Sequence, residues 1–169
     1  IGRYKKVESK PEEVFSRSAM LLGTPVLGIR AWDVSRAIDY LQSLDFVNGT
    51  FAVIGQSGGG ATTTYASVLD ERIDAAVISG HCCSAEYGLL AIGHCTCAYV
   101  PGLLRYFDIP DVLSIRAPKP TFIISGENDA IFPKEGVIDA YKKLKRVYEI
   151  YNKEENLDID IIPDKPHYF

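Results

Sequence analysis

Ser57 stands in the hexapeptide Gly55-Gln56-Ser57-Gly58-Gly59-Gly60, entered from the apolar run Phe51-Ala52-Val53-Ile54. This is the nucleophile-elbow pattern, a serine where a strand turns sharply into a helix. Such a turn lifts Oγ out of the sheet edge, and the N–H groups opening the helix point toward an oxyanion formed by attack on a carbonyl. Gln56, Gly58 and Gly59 are the residues expected to frame that position, with the Gly58 N–H as a donor. Gly55 and Gly59 flank Ser57 at two residues' distance, where a side chain is expected to collide with the neighbouring strand or helix. A serine hydroxyl needs a base to take its proton, usually a histidine held in the right tautomer by a carboxylate. Asp129 follows the apolar run Thr121–Ser125 in the loop Gly126-Glu127-Asn128-Asp129, and His167 follows the last apolar stretch and a Pro163-Asp164-Lys165-Pro166 turn. The assignment is Ser57 as nucleophile, His167 as base and Asp129 as the acid that orients it.

Each residue has a plainer alternative. Ser57 could cap a helix in a glycine-rich turn; Asp129 could be a solvated loop carboxylate, with Glu127 as a near neighbour; and His81 and His94 compete with His167. Those two histidines adjoin Cys82, Cys83, Cys95 and Cys97, but the cysteines of each pair are adjacent or one residue apart, whereas structural zinc sites hold theirs two to four apart. Buried free thiols acting as small apolar fillers are the favoured account, and no metal site is assigned. A disulfide stays open, since four cysteines allow three complete pairings. Phosphate binding by the glycines fails on detail: no Lys follows them as in a P-loop, and the Rossmann spacing is absent. Tyr65, Tyr87, Tyr99 and Tyr106 read as packing.

The elements that must position these groups follow from period and punctuation. Arg30 to Leu44 carries Val34, Ala37, Ile38 and Leu41 at the spacing of one helical face, with Asp33 near its start. Phe51–Ile54 reads as a parallel strand covered on both faces, followed by a helix from Gly59 to Leu69. Ala75–Ser79 and Thr121–Ser125 repeat the buried-strand pattern, and Leu157–Ile162 alternates as an edge strand does. A helix from Gly136 to Tyr151 presents Val137, Tyr141, Leu144 and Tyr148 on one side. Alternating strands and helices predict an α/β fold, a mostly parallel sheet flanked by helices whose strand ends share one rim. Residues 81–110 break the rhythm and read as an insertion over that rim. Arg116-Ala117-Pro118-Lys119-Pro120 is a stiff approach to a strand, and the stretch through Gly28 is less regular, with a helix around Glu12 to Leu22.

With 169 residues, 47% of them hydrophobic, the chain can bury one substantial core as a single domain. A net charge of −4 offers no basic stripe to replace phosphate counterions, which argues against nucleic acid and anionic membranes and for a neutral or mildly polar small molecule. No apolar stretch approaches the roughly 18 residues that span a bilayer, and Ile1-Gly2-Arg3-Tyr4-Lys5-Lys6 lacks the apolar core of a signal peptide. The chain reads as soluble, its compartment unknown with a lean to the cytoplasm.

Longer stretches carry a resemblance. Trp32-Asp33-x-x-Arg36-Ala37-x-Asp39-Tyr40-Leu41, Gly55–Gly60, Leu69-Asp70-Glu71-Arg72-Ile73, Cys95-x-Cys97-x-Tyr99-Val100-Pro101-Gly102, Ala117-Pro118-Lys119-Pro120 and Phe132-Pro133 together resemble the acetyl xylan esterase-like branch of the α/β-hydrolases, relatives of dienelactone hydrolases and of prolyl oligopeptidase-type peptidases. The resemblance covers the chain beyond about Leu27 and implies Ser57, Asp129 and His167 as nucleophile, acid and base. Lys119 replaces the arginine of the family's stretch. Full-length relatives carry further strands before the first helix here, including the loop that donates the second oxyanion N–H. The chain therefore reads as the carboxy-terminal portion of a hydrolase domain, with an exposed edge beside Phe51–Ile54 and a second chain as the expected partner completing the sheet. The implied function is ester cleavage through an acyl-enzyme on an acetylated carbohydrate, with no cofactor. A prolyl oligopeptidase-like peptidase and a non-catalytic fragment or partner are the alternatives.

Overall fold

The computed structural model describes residues 10–168. Residues 1–9, which include the Ile1–Lys6 stretch read for an export signal, and Phe169 lie outside the described residues. Helices α1 (Pro11–Leu21) and α2 (Val26–Gln42) precede strand β1 (Phe51–Gln56), helix α3 (Gly58–Leu69) and strand β2 (Ile73–Ser79). A long irregular passage with two short 3-10 turns leads to α4 (Ile109–Ser114), then β3 (Thr121–Gly126), α5 (Lys134–Ile150) and β4 (Leu157–Ile162). The strands pair in the order β1-β2-β3-β4, all parallel. Because each crossover steps to the next strand in the same direction, the right-handed rule puts α3, α4 and α5 on one face of the sheet.

That face holds the core. One cluster joins Ile78, Ile123 and Leu157 of the strands to Val137, Ala140, Leu144 and Tyr148 of α5. The other joins Phe51 and Ile73 to Leu27, Ala31 and Ile38 of α2 and to Ala61, Tyr65 and Ala66 of α3. Of the stripe expected on α5, Val137, Leu144 and Tyr148 are buried and Tyr141 is half-buried beside them, with Ala140 added. In α2 the helix begins earlier than expected and the buried stripe is Leu27, Ala31 and Ile38, with Val34 half-buried, while Ala37 and Leu41 are exposed. Pro25 occupies the cap in an extended conformation, and the helix begins at the next residue, Val26.

The expectation that β1 is covered on both faces is corrected. It is an edge strand among the described residues, and its outward side chains Ala52 and Ile54 are exposed, Ile54 at 74%. Across β2 and β3 the same open face continues as Val77, in register with Ile54, as Phe122, in register with Val77, and as Ile124 two residues further along β3, all three only half-buried.

The seams are pinned by charge. Arg116, 3% exposed, donates to the carbonyls of Ser67 and Pro120 at 3.0 Å each and to Thr121 Oγ1 at 3.1 Å. Lys119, where the resembling family has arginine, donates to the Glu71 carbonyl and, at 3.4 Å, to that of Ile73, so a point donor meets two acceptors and no carboxylate. Arg72 links α2 to the end of α3 through Asp39, Ser35 and Asp70, and holds the Asp70 carboxyl well below the usual carboxylate range.

Candidate active site

In a parallel sheet all strand ends of one kind lie at one rim, and Ser57, Asp129 and His167 follow the carboxy ends of β1, β3 and β4. Ser57 sits at φ 55°, ψ −116°, a left-handed conformation costly for a residue with a side chain, and its N–H is tied to the Ser79 carbonyl at 2.9 Å. The turn is tight enough that a Cβ on Gly55 would lie 2.2 Å from the Gly59 carbonyl oxygen and 2.7 Å from Thr63 Oγ1. The matching constraint on the helix side falls on Gly60, where a Cβ would stand 2.5 Å from the Ser79 oxygen. Gly59, expected to be the constrained partner, has open space around it.

The loop after β3 and the turn after β4 are bound to each other. Glu127 and Asn128 donate backbone N–H groups to the carbonyls of Ile162 and Lys165, at 3.0 and 2.8 Å. Gly126 lets them meet, since a Cβ there would lie 2.2 Å from the Pro166 oxygen. This junction fixes Asp129 and His167 against one another. His167 Nδ1 is 2.8 Å from Asp129 Oδ2, and its Nε2 is 2.7 Å from Ser57 Oγ. Asp129 Oδ1 accepts the N–H groups of Ile131 and Phe132 at 2.8 and 2.9 Å, leaving the other oxygen for the imidazole. Both Asp129 and His167 are buried. The bond from Asp129 takes Nδ1–H as donor, which leaves Nε2 as an acceptor for the serine proton.

The competing residues sort themselves. Glu127 accepts from Lys134 at 2.8 Å and from the Asp164 N–H, so it faces away from the imidazole. His81 is buried against Thr64 Oγ1 at 3.1 Å, and burial, with a smaller contribution from His94, lowers its pKa to about 4. His94 is also lowered, chiefly by burial, and its Nε2 has no hydrogen-bond partner. The four cysteines are free; Cys82 and Cys83 are buried in the core, and burial pushes the Cys82 thiol up beyond its ordinary range. No group of metal-ligating side chains occurs among the described residues. Among them, too, no helix is long and apolar enough to cross a membrane.

Gln56, grouped with the oxyanion residues in the sequence, instead donates its side-chain amide to the His167 carbonyl at 2.9 Å. It steadies the backbone behind the imidazole. Gly58 opens α3, where an N–H has no carbonyl four residues back within the helix. Three further residues complete the surroundings. Phe132 touches the rings of His81, His94 and His167 with centroids 5.6, 5.2 and 5.7 Å away; Tyr168 packs edge-on against His167 with its hydroxyl 3.5 Å from Ser57 Oγ; and Arg30 of α2 reaches the space beside Gly58. None of these has a sequence signal beyond Phe132-Pro133 in a recurring stretch. A cavity of about 370 Å³ opens over Ser57 and Gly58, with Phe132 and Tyr168 in its wall.

No protein-family model matches the chain. A Bacteroides fragilis structure described as a putative acetyl xylan esterase superposes with a TM-score of 0.76 at 18% identity, over 94% of this chain and 42% of its own. The chain has the α/β-hydrolase fold. A glucuronoyl esterase from Solibacter usitatus superposes with a TM-score of 0.70 at 18% identity, over 98% of this chain and 48% of its own. In sequence, the Bacillus subtilis protein named "Putative hydrolase YtaP" is 30% identical over 145 residues, which is 82% of this chain and 48% of that protein. The chain spans about half the length of the curated relative it matches.

Proposed function

We propose that the chain carries the reacting groups of a serine hydrolase that cleaves carboxylic esters through an acyl-enzyme. The observation that supports this most is the unbroken run of contacts from Asp129 Oδ2 through the His167 ring to Ser57 Oγ, at 2.8 and 2.7 Å. Ser57 Oγ adds to the ester carbonyl while His167 Nε2 takes its proton, and the Asp129 carboxylate stabilises the imidazolium. The carbonyl oxygen, now an oxyanion, lies toward the Gly58 N–H at the opening of α3. Collapse of the tetrahedral species breaks the bond to the alcohol oxygen, which leaves with the proton from Nε2. Water then attacks the acyl-serine by the same route, returning Ser57 Oγ–H and releasing the acid. No cofactor enters this scheme.

An acetylated carbohydrate is the proposed substrate class. It rests on the resemblance of the recurring stretches and on the names of the structural neighbours, an acetyl xylan esterase and a glucuronoyl esterase. The test is acetate release from acetylated xylan and from simple acetyl esters by the wild-type chain and by Ser57→Ala, with a peptide panel alongside. Release from the esters alone, lost in Ser57→Ala, supports the reading. Ester turnover equal in the two proteins, or cleavage confined to peptides, contradicts it.

A further inference from the structure

We propose that the cavity over Ser57 receives an anionic group of the substrate, with the Arg30 guanidinium as its partner, so that among esters it favours those with a carboxylate a few bonds from the reacting carbonyl, as an acetylated sugar acid has and a neutral acetylated sugar lacks. This rests on the reading of Ser57 as the nucleophile. Arg30 projects from α2 into the cavity, and its Nη1 lies 3.5 Å from where a Cβ on Gly58 would be. Gly58 directly follows Ser57, so their Cα atoms are about 3.8 Å apart and the guanidinium sits within a short substrate's length of Oγ.

The charge around that point is one-signed. Among the described residues Lys10 and Arg30 line the cavity and no carboxylate side chain does. Asp129 is spent on His167 and two backbone N–H groups behind the imidazole. Arg17, Arg36 and Arg72 each meet a carboxylate; Arg30, like Arg105, Arg116 and Arg146, forms no ion pair within the described residues, and of these four it is the one that lines this cavity. Its neighbour Cys97 does not neutralise it: burial and then Cys95 push that thiol up to about 11, with Arg30 pulling the other way. His81 and His94 in the wall have lowered pKa values and stay uncharged near neutral pH.

A planar guanidinium is weakly hydrated and presents paired donors that match a carboxylate, so a half-buried one whose hydrogen-bonded neighbour is the Cys97 thiol and no carboxylate keeps donors for an anion. The cavity's size, near the lower end for small-molecule sites, suits a short ester. The overall charge of −4 does not oppose this, because the acidic residues lie elsewhere and the local field is set by the lining.

Two matched esters, methyl pentanoate and monomethyl glutarate, differ in a terminal carboxylate. Wild-type chain is expected to favour monomethyl glutarate in kcat/KM by about tenfold or more, as one charge-assisted contact allows. Arg30→Gln should erase the preference mainly through KM, Arg30→Lys should keep part of it, and Lys10→Gln should reduce it slightly. In Ser57→Ala, glutarate should shift the Gly58 amide resonance, and in Ser57→Ala with Arg30→Gln it should not. Equal handling of the two esters by wild type, an equal loss on both in Arg30→Gln, or a glutarate shift that survives Arg30→Gln overturns the proposal. Labelling of Ser57 by a fluorophosphonate separates the two readings. An inert serine removes the hydrolase while the glutarate titration still decides the anion site, and a reactive serine with no glutarate response removes the anion site alone.

Discussion

Asp129 divides its two oxygens between the backbone and the imidazole, and the division sets what its loss should do. Asp129→Asn keeps an acceptor for the Ile131 and Phe132 N–H groups, so stability should hold while turnover falls by about 10³–10⁴. Asp129→Ala also strands two buried N–H groups and should cost about 1–3 kcal/mol in denaturant unfolding. The glycines separate in the same way. Gly55→Ala puts a Cβ 2.2 Å from a backbone oxygen and should collapse both stability and Ser57 reactivity. Gly59→Ala meets open space inside a helix and should be neutral or stabilising by up to about 1 kcal/mol. Thermal melts of the two variants check the pair. Ser57, Asp129 and His167 were legible because residue type, chain order and strand-end position all bear on them. Arg30 and Tyr168 were not, and Gln56 was placed at the elbow without its bond to His167, since such roles come from where a side chain reaches across the rim, which no local period encodes.

His81 follows β2 directly and bonds Thr64 of α3, so its protonation acts on the seam between a strand and a helix. Its folded pKa of about 4 lies below the ordinary value of 6.5, so the unfolded chain binds the extra proton first. Stability is therefore full above about pH 6.5 and declines as pH falls toward 4, by about 3 kcal/mol over that window. His81→Asn should flatten this part of the pH dependence of unfolding, and an unchanged slope would remove His81 as its source. Arg116 stitches α3, β2 and β3 with donors to buried acceptors, and Arg116→Ala should cost about 3 kcal/mol by the same measurement. Most elements were readable from period alone, α5 best, because its buried stripe is long and regular. The start of α2 was not, as the stretch through Gly28 shows no clean period, while the helix begins at Val26 behind Pro25 at its cap. α4 is too short to show a period.

At the scale of the whole molecule, four strands wound in one direction leave helices on one face and an apolar row of Ala52, Ile54, Val77, Phe122 and Ile124 on the other. An edge strand beside such a face invites association. The folded chain is expected to bind an apolar fluorescent dye and to elute at a concentration-dependent size, both reduced by Ile54→Lys. The two-faced burial read for β1 failed because an apolar run looks alike whether one face or both are covered. The edge beside Phe51–Ile54, by contrast, was expected and is found among the described residues. On the proposed function, Ser57 gives its proton to His167 at the sheet rim while Asp129 holds and stabilises the imidazole. The most direct measurement is stoichiometric labelling by a fluorophosphonate, located by peptide mass. The account predicts one label per chain, on Ser57, with a rate that falls at least about a thousandfold in His167→Ala. A folded chain whose Ser57 stays unlabelled, or labels equally fast without His167, would contradict it.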